Sequence, residues 1–98
     1  MNHRLVFVVC YDIADPKRLR MVYKTMRGYG EHLQYSVFRC ELELAQKVRL
    51  VMELTDIINE REDRILILPL GPTHGRYASR IETLGNQLVR REEGAFVL

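Results

Sequence analysis

The chain has 98 residues, room for one domain of ordinary size and no more. Hydrophobic residues make up 47% and charged residues 29% of it, a balance that excludes a disordered tail, a collagen-like chain or a bare linker. The net charge of +2 hides a division: residues 1–40 hold seven basic and three acidic side chains, whereas residues 41–66 hold four and seven.

The first element is the run Leu5-Val6-Phe7-Val8-Val9-Cys10-Tyr11, too short for a membrane helix and patterned as a central strand buried on both faces. Asp12, Ile13 and Ala14 follow. Asp15-Pro16 then supplies an N-cap and a first-turn proline. From there to Arg27, Leu19, Val22, Tyr23 and Met26 form one apolar stripe, while Lys17, Arg20, Lys24 and Arg27 recur on another and Arg18 lies off it. Gly28 and Gly30 end this helix. Its cationic ridge is the electrostatic footprint of a nucleic-acid surface. A solvated helix face accounts for the same charges.

Leu33 to Cys40 is again strand-like. A second helix is expected from about Glu43 to Asn59, with Leu44, Val48, Val51, Met52, Thr55 and Ile58 on one face. Leu50, Leu54 and Ile57 widen that face, so this helix should be more deeply buried than the first. Arg64 to Leu70 reads as another buried strand, with Pro69 marking an end or an edge, and Gly71 to Gly75 as a loop. The order of elements predicts an α+β domain of two helices on one sheet, with a ferredoxin-like βαββαβ unit as the candidate; that unit requires the Glu31–Glu41 run to bend near Tyr35-Ser36 into two strands. A ferredoxin-like domain over residues 1–85 is expected, followed by a C-terminal extension over 86–98. The tail Gly94-Ala95-Phe96-Val97-Leu98 is apolar and β-prone, which suits an extra strand on a sheet edge of this protomer or a neighbour, or packing on its own core.

Asp12 stands where an apolar strand emerges into a turn, and no GxSxG, HExxH or P-loop competes with it. One carboxylate is a poor magnesium site; a two-fold dimer would bring two together, and one ion bridging them could activate water for phosphodiester cleavage. The plainer reading has Asp12 hydrogen-bonding the turn to the helix start. His3, His32 and His74 lack metal-ligand spacing and read as surface positions. Cys10 and Cys40 lack CxxC spacing and read as small core residues. Tyr11, Tyr35 and Phe38 could stack on bases or fill the core. No leader for export is recognisable, and a cytoplasmic location without membrane attachment is expected.

Tyr11-Asp12-Ile13 after an apolar strand, Asp15 with Arg18 and Arg20 opening the helix, Tyr29-Gly30 closing it, and Gln34-Tyr35-Ser36-Val37-Phe38 beyond resemble the CRISPR-associated Cas-two family, in order from about Leu5 through Leu70. The resemblance implies a ferredoxin-like fold with the 31–41 run split near Ser36, and a homodimer of facing sheets with the C-terminal segment along the partner's sheet. It implies a scaffold that holds double-stranded DNA with the Cas-one integrase during spacer integration. It also implies a magnesium-dependent endoribonuclease activity on single-stranded RNA, with some members cutting double-stranded DNA. Carried over, Asp12 would be the Mg2+ ligand, and Tyr11, Arg18, Arg20 and Phe38 would surround the catalytic site. On the scaffold reading, the basic residues Lys17, Arg20, Lys24, Arg27 and Arg39 are expected to contact nucleic-acid phosphates without reading sequence. Two departures stand out: His32 where a basic residue is common, and Arg39 where an acidic one is. The alternative is a toxin-like metal-dependent endoribonuclease of the same fold acting without an integrase.

Overall fold

The computed structural model describes residues 3–73 and 80–86, so the expected C-terminal strand and tail, and His74, lie outside the described residues. The apolar run forms β1 (Leu5–Asp12), and α1 (Pro16–Arg27) follows after three residues. Asp15 caps α1, its Oδ2 accepting from the Arg18 backbone N–H at 3.0 Å, and Pro16 occupies the first helical position, where no N–H is missed. The Glu31–Glu41 run does split, into β2 (Gly30–Gln34) and β3 (Val37–Leu42), joined by Tyr35-Ser36. Tyr35 turns in the left-handed region at φ 38°. Then come α2 (Leu44–Ile57) and β4 (Arg64–Pro72). The four strands pair antiparallel in the order β2-β3-β1-β4, the expected ferredoxin-like sandwich with β1 central.

Strand alternation sends Phe7, Val9 and Tyr11 of β1 and Phe38, Cys40 and Leu42 of β3 toward the helices. There they bury Val22, Tyr23 and Met26 of α1 and Leu50 and Leu54 of α2. Burial pushes the Cys40 thiol up to about 11, so it stays protonated. Gly30 is fixed by a close approach: a Cβ there would lie 2.5 Å from both the Arg39 carbonyl oxygen and Cys40 Sγ.

Three expectations are corrected. The face of α2 centred on Leu44, Val48 and Met52 points outward, and the helix packs through Leu50 and Leu54, so it buries fewer residues than α1 rather than more. β4 is outermost among the described strands, as Pro69 suggested, but it runs on through Gly71-Pro72 and is not buried on both faces: Ile65 and Ile67 turn toward the helices while Leu66 and Leu68 are exposed. Its continuous apolar pattern fits burial on two faces, and one of those faces is open here. Cys10 is half-buried on that outer face with Val8, not in the core.

Gly30→Ala is expected to destabilise the domain by about 1–3 kcal/mol, since backbone must move to admit the methyl group. Gly28→Ala, in helical geometry at φ −79° with its nearest neighbour 3.4 Å away, should stabilise it by about 0.5 kcal/mol. Denaturant midpoints of the two variants check both signs.

Candidate nucleic-acid and metal site

Asp12 ends β1 with its side chain on the outer face, exposed, and among the described residues no hydrogen bond or ion pair engages its carboxylate. The turn-fixing role that it could have played falls to two other aspartates. Asp15 caps α1. Asp63, in the loop before β4, reaches back to the β1–α1 turn, its Oδ1 accepting from the Ala14 backbone N–H at 2.9 Å.

Asp63 is the residue sequence reasoning missed. Its side chain has no exposure, and its oxygens are filled: Oδ2 accepts from Asn59 N–H at 2.8 Å and from Arg18 Nε at 2.8 Å, and Oδ1 accepts from Arg18 Nη2 at 3.3 Å. Arg18 Nη2 also donates to Glu62 at 2.9 Å. The two-pronged guanidinium, aided by the Asn59 and Ala14 amides, holds the Asp63 carboxyl well below the usual carboxylate range against the opposing pull of burial. Arg18 is raised in turn, first by Asp63. Residue type does not separate Asp63 from the other carboxylates of Asn59-Glu60-Arg61-Glu62-Asp63; apart from the Asn59 amide, its partners Arg18 and Ala14 lie 45 and 49 residues away.

The other site residues divide between two surfaces. Tyr11 and Phe38 lie in the core, ring centroids 6.2 Å apart, on the opposite side of the sheet from Asp12. Burial, then the neighbouring Tyr23, pushes the Tyr11 hydroxyl up to about 12. They can shape the end of β1 but do not reach the outer face. Of the three aromatics, Tyr35 alone is exposed, at 73%, on a turn whose Ser36 carbonyl accepts from the Tyr11 N–H at 3.1 Å, one residue from Asp12. Arg64 of β4 stands opposite Asp12 in the ladder and places a cation at that end of the sheet.

Lys17, Arg20, Lys24 and Arg27 are all exposed along α1, and Lys24 and Arg27 also oppose the negative end of the helix dipole. Arg27 rests its guanidinium 5.9 Å from the Tyr23 ring centroid. Arg39 lies on the outer face of β3, paired with Glu41 at 2.7 Å. His32 is half-buried rather than freely exposed. Its ring packs against Phe38 and Tyr23 at 4.9 and 5.3 Å, Nε2 donates to the Tyr35 carbonyl at 2.6 Å, and Nδ1 is buried without a partner. It pins the Tyr35 turn instead of offering charge to a ligand.

No helix among the described residues is long and apolar enough to cross a membrane. The family model of CRISPR associated protein Cas2 matches residues 5–76. A CRISPR-associated endoribonuclease Cas2 of Rhodospirillum rubrum is 39% identical over 97 residues, covering 99% of this chain and 94% of its own. One from Geobacter sulfurreducens is 42% identical over 72 residues, 74% of each chain. Among solved structures, Streptococcus pyogenes Cas2 superposes with a TM-score of 0.70 at 38% identity, over 82% of this chain and 99% of its own. A hypothetical protein of Thermus thermophilus gives 0.76 at 26%, over 90% and 99%.

A carboxyl held below its unfolded value stabilises the fold above that value, about pH 4, and the contribution is lost as pH falls further. Asp63→Asn is therefore expected to lower Tm at pH 7 by on the order of 10 °C and to flatten the fall in stability between about pH 4 and pH 2. Thermal melts across that range check both.

Proposed function

The chain belongs to the CRISPR-associated Cas2 family, and from that premise we propose that it works as a homodimer that holds double-stranded DNA alongside the Cas-one integrase during spacer integration. The observation that carries the proposal is the row of four exposed cations on α1, Lys17, Arg20, Lys24 and Arg27. Such a row contacts phosphates and reads no bases. Arg39, on the outer sheet face and paired with Glu41, lies on the other side of the sheet from this row, and Arg18 holds Asp63.

Dimerisation through the outer sheet face is supported by Leu66 and Leu68, 52% and 44% exposed beside Val8 and Cys10. The second copy would cover them. Its Phe96, Val97 and Leu98 would add to the free edge of β4, where Ile58, Ile65 and Ile67 line an apolar groove.

The second activity proposed is magnesium-dependent cleavage of single-stranded RNA at Asp12; the relatives' names support endoribonuclease activity alone. Among the described residues, no group of three His, Cys, Asp or Glu side chains could hold an ion within one protomer. An exposed carboxylate without a protein partner is nevertheless the donor a hard cation takes, and Mg2+ tolerates one or two carboxylates if waters complete its shell. Two Asp12 side chains across a two-fold axis would hold it. Bound there, the ion would supply a water of lowered pKa and a positive charge at the scissile phosphate. Asp12 would hold it, Arg64 opposite Asp12 would steer the phosphate backbone, and Tyr35 would offer an exposed ring for an unpaired base.

Duplex binding should weaken by roughly 0.9 log units per log unit of salt for each neutralised phosphate. Lys24→Glu with Arg20→Glu should abolish it, and Asp12→Asn should leave it unchanged. Fluorescence anisotropy on a labelled duplex reads this, and salt-independent binding would sink the scaffold proposal. Asp12→Asn or EDTA should separately stop RNA cleavage without unfolding the protein; cleavage that survives both rules out Asp12 as its centre.

A further inference from the structure

The outward face of α2 has a use that neither the phosphate ridge nor the Asp12 site needs. Leu44, Val48 and Met52 recur every four residues and are 66%, 55% and 64% exposed. Exposed Thr55 continues their line. A helix that turns a stripe of this kind to water, while packing its other side in a core, has a surface built for a helical neighbour.

The charges beside the stripe identify the neighbour. Arg49 follows Val48, and one turn later Glu53 follows Met52, so the sequence repeats an apolar–charged pair with the sign reversed. Two copies of α2 laid antiparallel about a two-fold axis near residues 50 and 51 would set Val48 against the partner's Met52 and Arg49 against the partner's Glu53. By symmetry, the reverse contacts form as well. A parallel pair would oppose like charges. Glu53 bonds the Tyr29 hydroxyl through Oε2, which leaves Oε1 for a second donor, and Arg49 makes no ion pair among the described residues. The helix itself adds to the asymmetry. Its last turn holds Asp56 and no basic residue, so the negative pole of its dipole is uncompensated. An antiparallel mate brings Lys47 and Arg49 of its own N-terminal half toward that pole.

We propose that α2 docks antiparallel on α2 of a second copy of this chain through Leu44, Val48 and Met52, locked by reciprocal Arg49–Glu53 pairs. The contact lies on the helix side of the sandwich, opposite the outer sheet face, so one molecule can use both. A single helix pair buries less than the roughly 800 Å² per partner of a stable dimer, so the association is weak, with a dissociation constant on the order of 100 µM.

The test is sedimentation equilibrium of the full chain from about 10 µM to 1 mM without metal or nucleic acid, a range that brackets the expected constant. Val48→Asp gives the baseline mass, and circular dichroism confirms that each variant is folded, every substituted side chain being exposed. The wild-type mass should rise with concentration above that baseline, to twice it if the baseline is a monomer and beyond twice it if the baseline is the sheet-face dimer, which carries two α2 faces. Arg49→Glu and Glu53→Arg should each weaken the step about tenfold, because both symmetry-related pairs become repulsive. The double variant should return to within about threefold of wild type, because the pairs re-form with their signs exchanged. A wild-type mass that never exceeds the Val48→Asp baseline overturns the proposal. So does a double variant no better than either single one, which would make the stripe a seat for a different protein.

Discussion

Asp63 carries a negative charge on a side chain with no access to water, and the shape of the candidate site follows from how that charge is satisfied. Its partners come from three places: the β1–α1 turn through Ala14, α1 through Arg18, and the loop after α2 through Asn59. A buried carboxylate tolerates no missing donor, so the three segments must sit in one arrangement or the ion is left uncompensated. The same arrangement frees Asp12. With Asp15 and Asp63 supplying the backbone contacts that hold the turn, the carboxylate at the strand end has no structural duty. Arg18 is the other side of this economy. Engaged in the clasp through Nε and Nη2, it can affect the site by holding the turn in place.

The sandwich leaves apolar surface open in two places, for different reasons. On the sheet, both described helices lie on one side, and the other side keeps Leu66 and Leu68 beside Val8 and Cys10. On α2, apolar residues occupy more of the circumference than a single sheet contact can use. A domain this small has little core to spare, and uncovered surface of this kind is a standing incentive to assemble. The basic face of α1 shares the helix side with the second of these patches, so the proposed phosphate contact and the proposed helix docking would be separated by which helix presents them.

Much of this was readable in the chain. Asp15-Pro16 announces the start of α1 because a cap and a fixed φ are local requirements, and the spacing of Val22, Tyr23 and Met26 names its buried stripe. The break at Tyr35-Ser36 followed from the ferredoxin-like unit and not from composition, since the turn contains no glycine and uses a tyrosine in a left-handed conformation. The orientation of α2 was not readable, because Leu44, Val48, Val51, Leu54, Leu50 and Ile57 form one continuous arc over about half of the helix, and either end of that arc could face inward. β4 misled in the same way: its run of apolar residues signals two covered faces, but not whether the cover comes from this chain. His32 and Asp63 depend on partners distant in sequence or on ring packing, and residue type alone points both of them to the surface.

The ridge on α1 runs from Lys17 to Arg27, ten residues, and a helix rises about 1.5 Å per residue, which makes it about 15 Å long. Duplex DNA advances about 3.4 Å per base pair, so that length is matched by four or five steps of the double helix. Pinned at its start by the proline, the cap and the clasp, the helix can neither slide nor lengthen to follow a longer footprint. A ruler so short cannot gauge a fragment of tens of base pairs; any such gauge must reside in how many copies stand in line and how far apart their ridges are held.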